Sequence, residues 1–217
     1  MSRASNRHVW VFREMRTGGT AFSAELSAVL AKKFNFVIES LDDAIISPDV
    51  LNNTHNFDLI EDVVKICNPI LIRVTRRNKT QQMLSKQAII HSANVMADKA
   101  IINIMPDTTE EQLAGFDELV KNHPVTIEEK DVIGFAKQYL EYDSLWKKHG
   151  SLVENTTIYY EDLLNPISLP IVNLPRISFL DNRKHTAKLP EKYKNRLFAN
   201  ITEIGQWMEK HYYEHRT

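Results

Sequence analysis

Short runs rich in β-branched and aromatic residues punctuate the chain at 8–13 (HVWVFR), 35–39 (NFVIE), 70–75 (ILIRVT) and 156–160 (TTIYY). Side chains of this kind suit a pleated, packed surface, so each run predicts a strand. Between them the spacing of apolar residues lengthens. Phe22, Leu26, Val29 and Leu30 repeat at i, i+4, i+7 and i+8, the stripe of a helix buried along one side. Similar patterns cover 56–67, 79–99, 110–121, 128–148 and 190–212. In "NHPVTIEEKDVIGFAKQYLEYDSLWKKHG" a turn and a helix-start signal precede a long helix that Gly150 stops. Strands alternating with helices of this length predict right-handed crossovers and a parallel sheet covered on both faces. The expected fold class is therefore α/β, three-layer αβα with a central parallel sheet. "NPISLPIVNLPRISF" carries three of the eight prolines and is expected to run as loop or edge structure. No repeat, low-complexity linker or break in composition interrupts the pattern, so residues 1–217 read as a single domain.

Composition narrows the classes. A chain of 217 residues that is 43% hydrophobic can build one substantial core, and its 25% charged fraction is that of an ordered protein. The formal net charge of −1 gives no global field for nucleic acid or a membrane surface. The single cysteine, Cys67, allows no intrachain disulfide and reads as a buried structural thiol on a helix. Only four apolar residues stand together before Arg13, too few for a signal sequence or a span, and no later stretch reaches membrane length. A soluble, cytoplasmic protein is the expectation.

Glycine is scarce, six in all, yet Gly18 and Gly19 are adjacent where the first strand should meet a helix. With Arg16, Thr17 and Thr20 they make "RTGGT", a stretch that lets backbone approach a ligand and supplies donors to an anion at a helix N-terminus. A plain strand-to-helix turn, with Thr20 as N-cap and Arg16 in solvent, explains the same residues. A nucleotide-kinase loop, G-x-x-x-x-G-K-[ST], is absent, as is the G-x-G-x-x-G of dinucleotide binders. The next basic stretch, 70–87, holds Arg73, Arg76, Arg77, Lys79 and Lys86 without an acidic residue. It runs from a predicted strand into a helix, with Arg77 near the strand end and Ser85 eight residues on. In a parallel sheet that end shares a crevice with the first loop, so two anion sites would suit a ligand with two phosphate groups. A solvated basic helix face is the alternative. The stretch 181–196, with six Lys or Arg against two acids, offers the same choice.

These motifs in this order resemble the sulfotransferases that use 3′-phosphoadenosine 5′-phosphosulfate (PAPS). That family carries Pro-Arg-[Ser/Thr]-Gly-[Ser/Thr]-[Ser/Thr] after its first strand, and Met15 to Thr20 match at four positions. Met15 and Gly19 depart from the pattern. The family also places an arginine and, eight residues later, a serine on the 3′-phosphate, the spacing of Arg77 and Ser85. "YYEDLLNP" is similar to a later family strand and loop, and "RKHTAKLPEKYKNR" to the segment that closes over the nucleotide. The resemblance implies a P-loop NTPase-like topology and sulfuryl transfer from PAPS to a hydroxyl or amine, with adenosine 3′,5′-bisphosphate as product and no metal. It implies that Arg16, Thr17, Gly18, Gly19 and Thr20 hold the 5′-phosphosulfate, Arg77 and Ser85 the 3′-phosphate, and Arg183 and Lys184 further phosphate oxygens. Arg16 would stabilise the charge on the leaving oxygen. Glu39, at the end of the second predicted strand, would be the general base, with Asp42, Asp43, His55 and His91 as rivals. Glu14 would orient Arg16. The acceptor would be a small molecule, a glycan or a lipid, and helix 56–67 or the aromatic C-terminus offers a face for a homodimer. An inactive nucleotide-binding protein on the same fold, or a nucleotide kinase, is the alternative function.

Overall fold

The computed structural model describes residues 8–15, 26, 37–38, 50–95, 114, 117–118, 120–172, 174–177 and 196–216. The fold is mixed α/β, with a parallel sheet and helices. The chain divides into two compact units, each discontinuous in sequence: Met1–Arg77 with Tyr142–Asn182, and Asn78–Glu141 with Arg183–Thr217.

The first unit holds the sheet. Its strands are β1 (Val9–Arg13), β2 (Val37–Ile38), β3 (Val50–Thr54), β4 (Ile70–Thr75) and β5 (Asn155–Tyr159), in the order β2-β3-β1-β4-β5. Every pairing is parallel. β1 and β4 lie inside the sheet, which explains their near-continuous apolar sequences: strands covered on both faces have no solvent side to mark with polar residues. Side chains alternate across the sheet. Val9 and Val11 join Ile70, Ile72, Val74 and Leu26 in one core cluster. Trp10 and Phe12 join Phe57, Ile60, Leu71 and Trp146 in the other. Phe12 stands beside Arg73 in the β1–β4 register, so Arg73 falls on the aromatic face, where its guanidinium lies over the Phe57 ring at 5.5 Å.

β3 carries no apolar run. Its sequence, VLNNT, pairs along β1 from Val9↔Leu51 to Phe12↔Thr54. Helix α1 (Ile60–Cys67) follows a short turn and ends at Asn68, whose φ of 45° is left-handed. The proline-rich segment forms β6 (Ile167–Leu169) and β7 (Leu174–Ile177), an antiparallel pair apart from the main sheet.

The second unit contains α2 (Lys79–Val95), most of α3 (Glu129–Leu145) and α4 (Ile201–His211). Beyond Leu145 a wider, π-helical turn, Trp146–Gly150, belongs to the first unit and ends at the glycine expected to stop the helix. In the second unit the Tyr213 hydroxyl accepts the N–H groups of Lys79 and Thr80, satisfying donors that the first turn of α2 leaves open. The Asn200 side chain accepts the Ile127 N–H at 3.2 Å and donates to the Ile127 carbonyl at 2.8 Å. Among the described residues no helix is long and apolar enough to cross a membrane.

Candidate functional site at the carboxyl edge of the sheet

The chain leaves β1 towards β2 on one side and leaves β4 towards β5 on the other. The carboxyl ends of these adjacent strands therefore flank a topological switch point, where open parallel sheets leave a crevice for ligands. Glu14 and Met15 follow β1 there, His55 follows β3, Arg76 and Arg77 follow β4, and Tyr160, Glu161 and Asp162 follow β5. Arg16, Thr17, Gly18, Gly19 and Thr20, the expected phosphate loop, lie outside the described residues, as do Glu39, Asp42, Asp43, Arg183 and Lys184.

Under the crevice sits a buried ionic cluster. Arg73 donates through Nε to Glu14 at 3.1 Å and through Nη2 to both Glu14 and Asp143. Burial by itself would push the Arg73 guanidinium down. The charges of Glu14 and Asp143, with their hydrogen bonds, outweigh it and hold the group above its ordinary value. One expectation changes here. Arg73 is neither part of a solvated basic face nor open to an anion, because it is buried against two carboxylates. Glu14, expected to orient Arg16, holds Arg73; Arg16 itself lies outside the described residues. A charge inside ILIRVT was the available signal, since a cation in a buried strand needs a buried partner. Lys79 likewise leaves the solvated-face reading: it is buried, its Nζ reaching Gln82 Oε1 at 3.2 Å and lying over the Tyr139 ring at 4.6 Å within the second unit.

His55 is the rival base that falls on the crevice edge. Its Nδ1 lies 2.7 Å from the Arg13 carbonyl oxygen. A carbonyl only accepts, so Nδ1 carries the proton and the lone pair is on Nε2. Burial first, and then the Arg13 charge, push its pKa down, against a smaller upward pull from the hydrogen bond. At neutral pH the ring is uncharged and able to accept a proton. His91 falls on α2, in the other unit.

Arg77 lies in a third cluster. Its guanidinium makes two parallel hydrogen bonds to Asp162, at 2.7 and 2.8 Å, and lies over the Tyr159 ring at 4.1 Å. Its backbone N–H donates to Glu161 at 3.1 Å. The hydrogen bond that Arg77 donates to Asp162 holds the guanidinium above its ordinary value. Beside it Arg76 sits over the Tyr160 ring at 4.8 Å, with Glu161 3.7 Å from its Nε. Both acids follow β5, so a stretch of sequence that is purely basic along the chain meets its counter-charges in space. Ser85 is half-buried on α2, in the second unit.

No family model, curated protein or solved structure matches this chain. The reading of the site therefore stands on the residues themselves. Among the described residues no three of His, Cys, Asp or Glu converge on a point where a metal ion would sit. Among the described residues the carboxyl edge offers a histidine with its lone pair on Nε2 and an exposed arginine held by a carboxylate.

Proposed function

We propose that this chain is a PAPS-dependent sulfotransferase with a three-layer, P-loop-like topology. The observation that carries the reading is the meeting of β1 and β4 at the switch point. It brings Glu14 and Met15, which precede Arg16–Thr20 in the sequence, to the same edge of one parallel sheet as Arg77, and a ligand with two phosphate groups would need two anion sites on one such edge. The resemblance of "MRTGGT" and of the Arg77–Ser85 spacing to that family supplies the substrate class.

In this reading the acceptor oxygen or nitrogen attacks sulfur in line. A new bond to sulfur forms as the bond from sulfur to the 5′-phosphate oxygen breaks, releasing adenosine 3′,5′-bisphosphate. Arg16 and the loop N–H groups stabilise the charge on the departing oxygen, and positioning supplies much of the remaining rate. The acceptor's proton goes to a base. Glu39 has that role by resemblance, and His55 has it by geometry, because the Nδ1 hydrogen bond to the Arg13 carbonyl leaves its lone pair on Nε2. The pair of Arg77 with Asp162 favours a second reading, a nucleotide-binding protein without transfer activity, since a ligand phosphate must first displace a carboxylate.

Calorimetry with adenosine 3′,5′-bisphosphate tests the assignment. Binding is expected, and Arg77→Ala should weaken it about tenfold or more, the usual worth of a charge-assisted pair. No binding, or binding indifferent to Arg77, would overturn it. A nucleotide that binds but is never formed from PAPS with any of a panel of hydroxyl and amine acceptors would select the second reading.

A further inference from the structure

We propose that Asp162 is an internal competitor for the Arg77 guanidinium, and that this competition selects doubly charged phosphate monoesters over singly charged anions at that position. The proposal rests on the assignment of Arg77 to a ligand phosphate and names the residue that sets its selectivity.

Asp162 already occupies the two-pronged geometry that a phosphate would take on Arg77, with bonds of 2.7 and 2.8 Å. The fork is held for any partner that arrives. Tyr159 lies under the guanidinium plane, and the Arg77 N–H is tied to Glu161, so the arginine is oriented whether or not Asp162 stays. The pair is also displaceable. The side chains are 51% and 41% exposed, and pairs this open to water are held weakly. Arg73, buried against Glu14, is the contrast within the same unit: no ligand could exchange there without stranding a carboxylate.

Asp162 cannot withdraw far once displaced. It begins the short turn Asp162–Leu164, whose Leu163 is buried in the core cluster on the β-sheet face. Its charge therefore remains beside the site. A monoanion that replaces it exchanges one negative charge for another and meets the repulsion of the one it displaced. A phosphate dianion meets twice that repulsion but also twice the attraction of the guanidinium it touches, which is nearer and so the larger of the two. The carboxylate thus works as a threshold, set by the charge of whatever approaches.

Two measurements on the full chain test this, both comparing the parent with Asp162→Asn, which keeps shape and removes charge. In the first, calorimetry uses adenosine 3′,5′-bisphosphate and adenosine 5′-phosphate. The variant should bind the bisphosphate about fivefold more tightly, the upper range for an exposed pair, and leave the 5′-phosphate unchanged. Equal bisphosphate affinity in the two proteins would overturn the proposal. The second needs no nucleotide: phenylglyoxal labelling of Arg77, read by peptide mass spectrometry at about pH 8, where a phosphate carries close to two charges. Arg77 should label faster in the variant. Inorganic phosphate should protect it in both proteins, and acetate only in the variant. Equal labelling rates, or acetate protection in the parent equal to that by phosphate, would also overturn the role of Asp162. If neither protein binds either nucleotide, the sulfotransferase reading fails, and the labelling result still decides on Asp162.

Discussion

Replacing Arg73 by methionine should be among the most damaging single changes to the sheet unit. The side chain is 6% exposed, Glu14 is fully buried, and Asp143 is 25% exposed. Methionine keeps much of the stem's volume but leaves the Glu14 carboxylate in the interior without its guanidinium. Breaking a buried pair from one side costs about 3–5 kcal/mol, mostly the desolvation of the charge left behind. The neighbouring changes should cost less. Glu14→Gln still offers Arg73 an amide oxygen, and Asp143 remains, so the loss should be near 2 kcal/mol, that of a charged hydrogen bond weakened rather than orphaned. Asp143→Asn, at the wetter end, should cost about 1 kcal/mol. The expected order is Arg73→Met, then Glu14→Gln, then Asp143→Asn.

Urea titration followed by tryptophan fluorescence measures these values. A Trp207→Phe background confines the signal to Trp10 and Trp146, which belong to the same core cluster as Phe12. The Arg73 pKa is raised on folding, so its stabilisation is present below the unfolded value and lost only as pH rises through the still higher folded one. The deficit of Arg73→Met should therefore be level from about pH 6 to 9. A loss below about 1 kcal/mol, or Asp143→Asn costing as much as Arg73→Met, would refute the claim that the buried carboxylate decides the energy.

Two further outcomes follow from local geometry. Asn68 ends α1 in the left-handed region, where a Cβ without a side-chain hydrogen bond costs about 1 kcal/mol. Asn68→Ala should therefore destabilise in the same urea assay and Asn68→Gly should be neutral or better; the reverse order would contradict the assigned φ. His55, with its pKa lowered by burial and by Arg13, should titrate below the free imidazole value in a proton–nitrogen NMR experiment. Because the folded value is depressed, its neutral form stabilises the fold at higher pH, and stability falls as pH drops through the unfolded and then the folded pKa. His55→Gln should abolish that part of the acid sensitivity, and a His55 that titrates at or above the free value would contradict burial and the Arg13 charge as the controlling influences.

Along this chain the periodicities carried most of the elements. VWVF and ILIRVT announced β1 and β4 because strands buried on both faces carry near-continuous apolar runs. The 128–148 pattern likewise announced α3. β3 was not legible: VLNNT has two asparagines, and it is a strand because β1 and β2 supply hydrogen-bond partners on either side. The glycine pair, and the place of Arg77 at a strand end, were also visible in one dimension. Which charges answer which was not. Glu14 meets Arg73 across 59 residues, and Asp162 meets Arg77 across 85. Apolar period is a property of neighbours, so it survives in the order of residues. The partner of a charge is chosen by the strand order and by the loops that cross the sheet's carboxyl edge. That choice made one arginine of the basic stretch a sealed structural post and left another at the surface, held by an exposed carboxylate.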